Sequence, residues 1–432
     1  MASTIRPGAP SPRYCPTEVS AVRYEYKKLF SSKLMWAVLV LALGYMVFIP
    51  LREIWGSVKN TRAKSRAYEL AVEDAAERGL TVEELRQQRT ELEQQMWGGG
   101  SGFDTAPAGY APRYGDNAME DLIALGAAAD LRARVDYGFE RDRRELIKGM
   151  VYQNLLERRK GSPDSYLIRA NEKAIRLYNR RTDLQFKSTG TEEHIRYSSF
   201  NYSMWEYVML ALCVLMTVRL FTLEHTTGAE RLVNTSRRTE KSLFFKKLLA
   251  VWSAAAAVLV IQALFELCFC RVVFGLKNLS LPLQQLEMFS LCPYRLTVGE
   301  FYLLKLGLRL LAYTAVISVT SLITLLVRRP LLASISALTL SAGGLAANMV
   351  LYVRINNSET PRTGLLPAYN RLRTLLPQSL LNIKEYIRGF DCFSLFGQPV
   401  SRLGVCAALA AALSALCVLW GYWLSGKIRR KG

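Results

Sequence analysis

Four ionisable side chains interrupt segments that are otherwise apolar enough to cross a membrane. They are two acids and two bases, Glu206, Glu266, Lys305 and Arg309. An ionised group in the middle of a bilayer costs about 3 kcal/mol, so residues of this kind are candidates for function. Two hypotheses fit them. Either each side chain extends to the nearby membrane surface, or the four pair as an ion cluster that holds an outward gate closed.

A row of hydroxyl groups forms a second candidate site. Thr314, Ser318 and Ser321 follow one another at steps of four and three residues, which places them on one face of an α-helix. Small residues at such spacing usually let neighbouring helices pack closely. The alternative is that the row lines a polar translocation path.

The chain offers little to a catalytic centre. It has two histidines and eight cysteines, and their spacing is not typical of a metal site. Cys292 and Cys392 fall in predicted outer loops and are candidates for a disulfide. The Gly-x-x-x-x-Gly-Lys-Ser/Thr pattern that cradles nucleotide phosphates is absent, because Gly98–Gly102 lacks the lysine. We therefore expect no catalytic residue, no metal site and no cofactor bound by this chain.

A short basic stretch between two apolar segments has residue types that suit the docking of a soluble partner. An amphipathic piece of this kind lies along a membrane surface or in the groove of a partner. The residues that we single out in it are Glu224, Gly228, Leu232, Val233, Arg237, Arg238, Lys241 and Lys246.

Six apolar segments must position these residues. Each is close to the roughly 20 residues that a helix needs to cross a bilayer, and helices are the default because lipid satisfies no backbone polar group. The predicted spans are residues 34–51, 203–221, 248–269, 303–327, 331–353 and 403–425. The expected fold class is all-α, a six-helix transmembrane bundle in which residues 248–425 hold helices three to six.

The net charge of +20 is distributed as a membrane topology requires. Basic residues concentrate in residues 1–33, in residues 222–247, at Arg328–Arg329 and in the tail, residues 426–432. These segments share one side if the spans alternate, and basic residues mark the cytoplasmic side. We expect a multi-pass protein of the cell membrane with both termini in the cytoplasm, in contact with lipids and not with nucleic acid.

The polar segment between the first two spans, residues 52–202, is predicted to be a large helical ectodomain. Apolar residues at steps of three or four from Ser65 to Met96 indicate a helix of coiled-coil-like composition. The glycine-rich run after Trp97 indicates a flexible link, and further helices are predicted over residues 118–160 and 165–181. Whether this domain binds a ligand or acts as a spacer stays open.

The loop after the second span resembles that of ABC-2 type permeases. The similar positions are Glu224, Gly228, Leu232, Val233, Thr235, Arg238 and Lys246, together with segments 289–301 and 376–397. The resemblance covers spans two to six. It departs at residues 237–240, where many relatives carry a glycine or proline turn, and this leaves the register of the docking helix open.

The resemblance implies a transmembrane permease subunit of an ATP-driven transporter, an exporter in a bacterial cell membrane. Residues 222–247 would be its coupling loop, seated on a separate ABC ATPase subunit that binds ATP and Mg²⁺. A second permease copy or a paralogue would complete a dimer. A hypothesis of a different class is a non-transporting receptor or scaffold, whose ectodomain senses an envelope component while the basic loop binds a cytoplasmic partner.

Overall fold

A computed structural model describes residues 18–55, 58–97, 110–161, 165–180, 184–188, 204–227, 240–327, 329–357 and 375–428. These residues are mostly helical, which confirms the main part of the predicted fold class. The described part also contains a two-stranded antiparallel hairpin, so the class is not purely α.

Among the described residues, four helices are long and apolar enough to cross a membrane. They are α8 (Met204–Thr226), α9 (Glu240–Phe274), α10 (Val298–Val327) and α12 (Arg402–Ile428). They coincide with predicted spans two, three, four and six. At predicted span five, α11 (Pro330–Asn357) forms a continuous helix, whose apolar stretch within the described residues is the shorter Pro330–Gly344.

The first predicted span differs from expectation. Helices α1 (Glu18–Phe30) and α2 (Lys33–Trp55) form a pair bent by 80°. The pair is long and apolar enough for one span when its two helices are taken together. Two side chains at the bend cap the C-terminal end of α1. Ser31 Oγ donates to the carbonyl oxygen of Lys28 at 2.8 Å, and Trp36 Nε1 donates to the carbonyl oxygen of Phe30 at 2.9 Å. Helix α1 lies within the predicted cytoplasmic N-terminal segment, residues 1–33, and packs against α8 and α9.

The segment predicted to be the ectodomain, a name kept here for its residues, comprises α3 (Val58–Glu77), α4 (Val82–Trp97), α5 (Ala118–Ala133), a π-helical turn (Arg134–Gly138), α6 (Phe139–Arg159) and α7 (Tyr166–Tyr178). Helices α3, α4 and α5 share a hydrophobic core that is separate from that of the bundle. Helix α5 packs against both α3 and α4. Leucines such as Leu85, Leu122 and Leu131 are buried there among alanines. The small alanine side chains let the three helices approach closely.

The predicted helix over residues 65–96 is two helices in the structure. Gly79 has a φ of +64°, the left-handed conformation that ends many helices and that glycine adopts at least cost. Thr81 and Glu84 then start α4 with a reciprocal capping box. The Glu84 amide donates to Thr81 Oγ1 at 3.3 Å, and the Thr81 amide donates to Glu84 Oε2 at 2.8 Å.

Two short segments lead into α10 and α12 at the end of the bundle that is predicted to face outward. Residues 275–297 contain two 3₁₀ turns, and residues 375–401 contain the 3₁₀ turn Pro377–Leu381, the short helical turn Lys384–Ile387 and the hairpin. The hairpin strands are β1 (Cys392–Leu395) and β2 (Gln398–Ser401), with Cys392 opposite Ser401. Strand β2 runs directly into α12, and α7 packs on it. The ectodomain therefore rests on the segment that leads into the last membrane helix.

One carboxylate holds the loop that precedes α5. Asp121 accepts hydrogen bonds from the Tyr110 hydroxyl at 2.5 Å and from the backbone amides of Arg113, Tyr114 and Gly115 at 2.6, 2.8 and 2.6 Å. Asp121 is 1% exposed. Hydrogen bonds to a charged group are the stronger kind, so this side chain fixes the loop against the core of the ectodomain.

We predict that Asp121→Asn loosens this loop. One of the two accepting oxygens becomes an amide nitrogen, and losing hydrogen bonds to a charged group costs about 2 kcal/mol. Hydrogen exchange of the amides at residues 113–115 should therefore accelerate by roughly 30-fold. Asp130→Asn, an exposed change on the same helix, is the control. Equal exchange rates in the two variants would contradict the role that we give to Asp121.

Candidate functional site

The four ionisable residues singled out in the sequence meet in one cluster, here called the outer cluster. Arg309 on α10 lies 2.7 Å from Glu206 on α8 and 3.7 Å from Glu266 on α9. Lys305, one turn before Arg309, lies 2.5 Å from Glu266. The Tyr313 hydroxyl donates to Glu206 as well. The ion pairs of the second hypothesis are therefore present, and they join three helices.

The outer cluster is shielded from the surroundings. Lys305 and Arg309 are each 7% exposed and Glu206 is 2% exposed. The side chains turn toward one another, which favours an ion cluster over extension to the membrane surface. Two acids and two bases balance, as burial requires, because an unpaired buried charge is far more costly than a buried pair. Its role as a gate stays a prediction.

Sequence reasoning missed two polar groups beside the outer cluster. Tyr313 follows Arg309 by four residues and so shares its helix face; this spacing was the available signal. Gln262 precedes Glu266 by four residues on α9, and its Oε1 is buried without a hydrogen-bond partner among the described residues. The cluster therefore contains more polar groups than its four charges.

The hydroxyl row on α10 is satisfied within the bundle. Thr314 donates to the carbonyl oxygen of Leu310 at 2.7 Å and accepts from Trp252 Nε1 at 2.7 Å. Ser318 and Ser321 each donate to a carbonyl oxygen of their own helix at 2.8 Å, and both are buried. Of the two hypotheses, this arrangement favours close helix packing over a polar path.

A second charged cluster, here called the inner clasp, lies at the other end of α8. Glu224 accepts hydrogen bonds from Lys28 on α1 at 2.6 Å and from Lys247 on α9 at 2.8 Å. Lys28 also donates to Glu25 at 3.0 Å. Glu224 is 9% exposed and Lys247 6%. One carboxylate thus joins three helices at this end of the bundle.

The structure places Glu224 differently from the docking residue that we expected, since two lysines hold it inside the chain. Lys241 lies in the first turn of α9 and Lys246 is half-buried one turn further on. The remaining predicted docking residues lie outside the described residues: Gly228, Leu232, Val233, Arg237 and Arg238. Lys28 was missed because it had been counted with the basic residues that set topology.

The candidate disulfide between Cys292 and Cys392 is not formed. Cys292 and Cys392 are both free thiols. Cys292 is buried with its sulfur 3.6 Å from the carbonyl oxygen of Tyr294, and the sulfur of Cys392 accepts a hydrogen bond from the Tyr166 hydroxyl at 3.1 Å. Each sulfur therefore has its own polar partner. Burial raises the pKa of the Cys292 thiol to about 11, which keeps it protonated at neutral pH.

Side chains of α7 hold the hairpin by its backbone. Tyr166 donates to the carbonyl oxygen of Cys392 at 3.1 Å, and Lys173 donates to that of Pro399 at 2.7 Å. The Tyr178 hydroxyl accepts from the backbone amide of Phe390 at 3.1 Å. Burial raises the pKa of Tyr178, so this hydroxyl stays protonated. The ectodomain is therefore connected to α12 by directional bonds.

In the described part of the chain, the outer cluster and the inner clasp are the two groups of buried ion pairs that join bundle helices. No group of three or more histidine, cysteine, aspartate or glutamate side chains there could hold a metal ion. No protein-family model, curated protein or solved structure matches the chain. Its function is therefore argued from the clusters and from the helices that they join.

We predict that the pair Glu206–Arg309 is coupled. Glu206→Gln or Arg309→Gln alone leaves a buried charge without its balance, so each lowers the free energy of unfolding by about 3–5 kcal/mol. The double variant keeps the Lys305–Glu266 pair and restores neutrality, so it should recover most of the loss. Thermal unfolding of the detergent-solubilised protein measures this.

Ser321→Ala is the control for this cycle, because it changes a buried group on the same helix without touching a charge. Additive losses in the double variant would show that the two residues act independently. In that case Glu206 and Arg309 would not be energetically coupled, and the outer cluster would not stabilise the bundle as one group.

Proposed function

We propose that this chain is the transmembrane permease subunit of an ATP-driven exporter, coupled to a separate ATPase through residues 222–247. The observation that carries the proposal is the inner clasp. Residues 228–239 connect the end of α8 to the start of α9, and the flanking residues Glu224 and Lys247 are bonded to each other. A partner seated on this loop therefore acts on both helices at once.

The inner clasp also includes α1. Because Lys28 shares the carboxylate of Glu224, a displacement of the loop reaches α1 and, through the 80° bend, α2. Helices α8 and α9 carry Glu206 and Glu266 at their other ends, where both pair with α10. A tilt imposed at the clasp thus changes the pairing in the outer cluster, which acts as the outward gate in this proposal.

The remaining assignments follow the same proposal. The ATPase partner binds ATP and Mg²⁺, since this chain has no phosphate-binding loop. A second permease copy or a paralogue completes the transport unit. The clasp and both termini face the cytoplasm of a bacterial cell, and the ectodomain faces outward, in agreement with the distribution of basic residues.

A receptor or scaffold is the second candidate, and one observation favours it. Helix α6 leaves four apolar side chains exposed at its C-terminal half, Val151, Tyr152, Leu155 and Leu156. Exposed apolar residues on a domain with its own core are typical of an interaction surface. In this reading the ectodomain receives a signal and the basic loop passes it to a cytoplasmic partner.

Two variants test the transporter proposal by separating docking from coupling. We predict that Arg238→Glu abolishes co-purification of an ATPase carrying a phosphate-binding loop, because it reverses a charge on the docking loop. Glu224→Gln should retain the ATPase, since Glu224 is buried, but should decouple its hydrolysis rate from the state of the permease. Affinity purification in mild detergent, followed by mass spectrometry and ATPase assays, measures both effects.

Arg89→Glu, a charge reversal on exposed ectodomain helix α4, is the matched control and should retain both properties. If wild-type protein recovers no such ATPase, the transporter proposal is wrong and the receptor reading gains. If Arg238→Glu retains the ATPase, the docking surface has been misplaced.

A further inference from the structure

The turn of the hairpin places an aromatic residue in a backbone conformation that is unfavourable for bulky side chains. Phe396 has a φ of +50° and Gly397 a φ of +78°, and the two form the whole connection between paired residues Leu395 and Gln398. A two-residue turn with both φ values positive is the type I′ turn, for which Asn-Gly is preferred. A bulky residue with positive φ is an outlier that invites a functional explanation.

The same residue is fully exposed. Phe396 is 99% exposed and its neighbour Leu395 is 48% exposed. Backbone strain and an exposed aromatic ring are both unfavourable in water. The described residues offer the ring no apolar contact that offsets them, so the contact that favours phenylalanine at this position lies outside the described part of the chain.

The position of the hairpin indicates which environment provides that contact. Strand β2 ends at Ser401, and the membrane-crossing helix α12 begins at Arg402. A strand rises about 3.3 Å per residue, so the tip, which precedes Arg402 by six residues, lies within about 20 Å of the start of the apolar span. The headgroup region of one leaflet is only about 5–8 Å deep, so the tip meets it when the hairpin lies along the membrane surface.

Two basic side chains of α7 lie beside the hairpin. The guanidinium of Arg169 on α7 lies next to Gly397 in the turn. A β-carbon added to that glycine would be 3.5 Å from the guanidinium nitrogen. Its Nε is buried without a hydrogen-bond partner among the described residues. Lys173, one turn further along α7, holds the backbone of β2. Positive charge next to an apolar tip is complementary to anionic lipid headgroups.

We propose that the hairpin tip, Leu395 and Phe396, inserts into the membrane surface on the side of the ectodomain. The ring of Phe396 enters the boundary of the acyl chains, while Arg169 binds lipid phosphate. Because α7 holds the hairpin backbone, this contact also seats the ectodomain on the membrane. The proposal is independent of any ATPase.

Photo-crosslinking of the full-length protein in lipid nanodiscs tests the proposal. Benzoylphenylalanine replaces Phe396 in one sample and Ile123, an exposed side chain of α5, in the control. Lipid adducts, identified by mass spectrometry, should be roughly tenfold more abundant at position 396, the ratio expected from burying one aromatic ring. They should increase further when phosphatidylglycerol replaces part of the phosphatidylcholine, and Arg169→Gln should remove that increase.

Phe396→Asn is a second variant, chosen because it removes the ring without disturbing the fold of the hairpin. It creates the preferred Asn-Gly turn, so the hairpin should persist, with unchanged hydrogen exchange at residues 392–401. Lipid adducts from benzoylphenylalanine at Leu395 should nevertheless fall several-fold in this background. Unchanged adducts would overturn the proposal, and so would crosslinks at 396 to a second copy of the chain or to another protein. Adduct levels equal to those at position 123 would show that the tip stands in water.

Discussion

Charge buried inside the helix bundle is the constraint on which the rest of the structure depends. Lys305 and Arg309 on α10 lie where neither lipid nor packed side chains can solvate them, so two neighbouring helices must supply carboxylates at the same level. Glu206 does this from α8 and Glu266 from α9. A shift of either helix by one turn would leave a buried charge unpaired. The outer cluster therefore fixes the register of three helices, which apolar contacts alone leave open.

The two charged clusters share the same two helices. Glu206 and Glu224 stand near opposite ends of α8, about 27 Å apart along the axis at about 1.5 Å per residue. Lys247 and Glu266 stand at similar positions along α9. Each helix is thus bonded to α1 through the inner clasp and to α10 through the outer cluster. Rigid helices held at both ends transmit a tilt from one end to the other, and discrete ion pairs give that tilt defined end states.

The sequence predicts those features that depend on local pattern. Apolar length predicted α8, α9, α10 and α12, and charges inside apolar segments singled out the four residues of the outer cluster while leaving their pairing open. Features decided by distant partners were missed: Lys28 looks like any basic residue near a membrane until Glu224 is placed beside it. The hairpin was missed because Phe396 occupies a turn position where asparagine is the usual signal. The central residues of the predicted docking loop, 228–239, lie outside the described part of the chain, so the structure describes only the residues at its two ends.

The outer side of the molecule is connected to the same helices by a continuous series of contacts. The α7 side chains hold the hairpin backbone, the hairpin continues into α12, and α12 packs along α10, which carries Lys305 and Arg309. Coupling between two sites is reciprocal as a matter of thermodynamics. If closure of a cytoplasmic ATPase alters the outer cluster, then an event at the ectodomain or at the hairpin tip that alters the outer cluster must in turn bias that closure. The transporter and the receptor hypotheses therefore use one set of contacts in opposite directions, and they differ in which end of the bundle receives the energy.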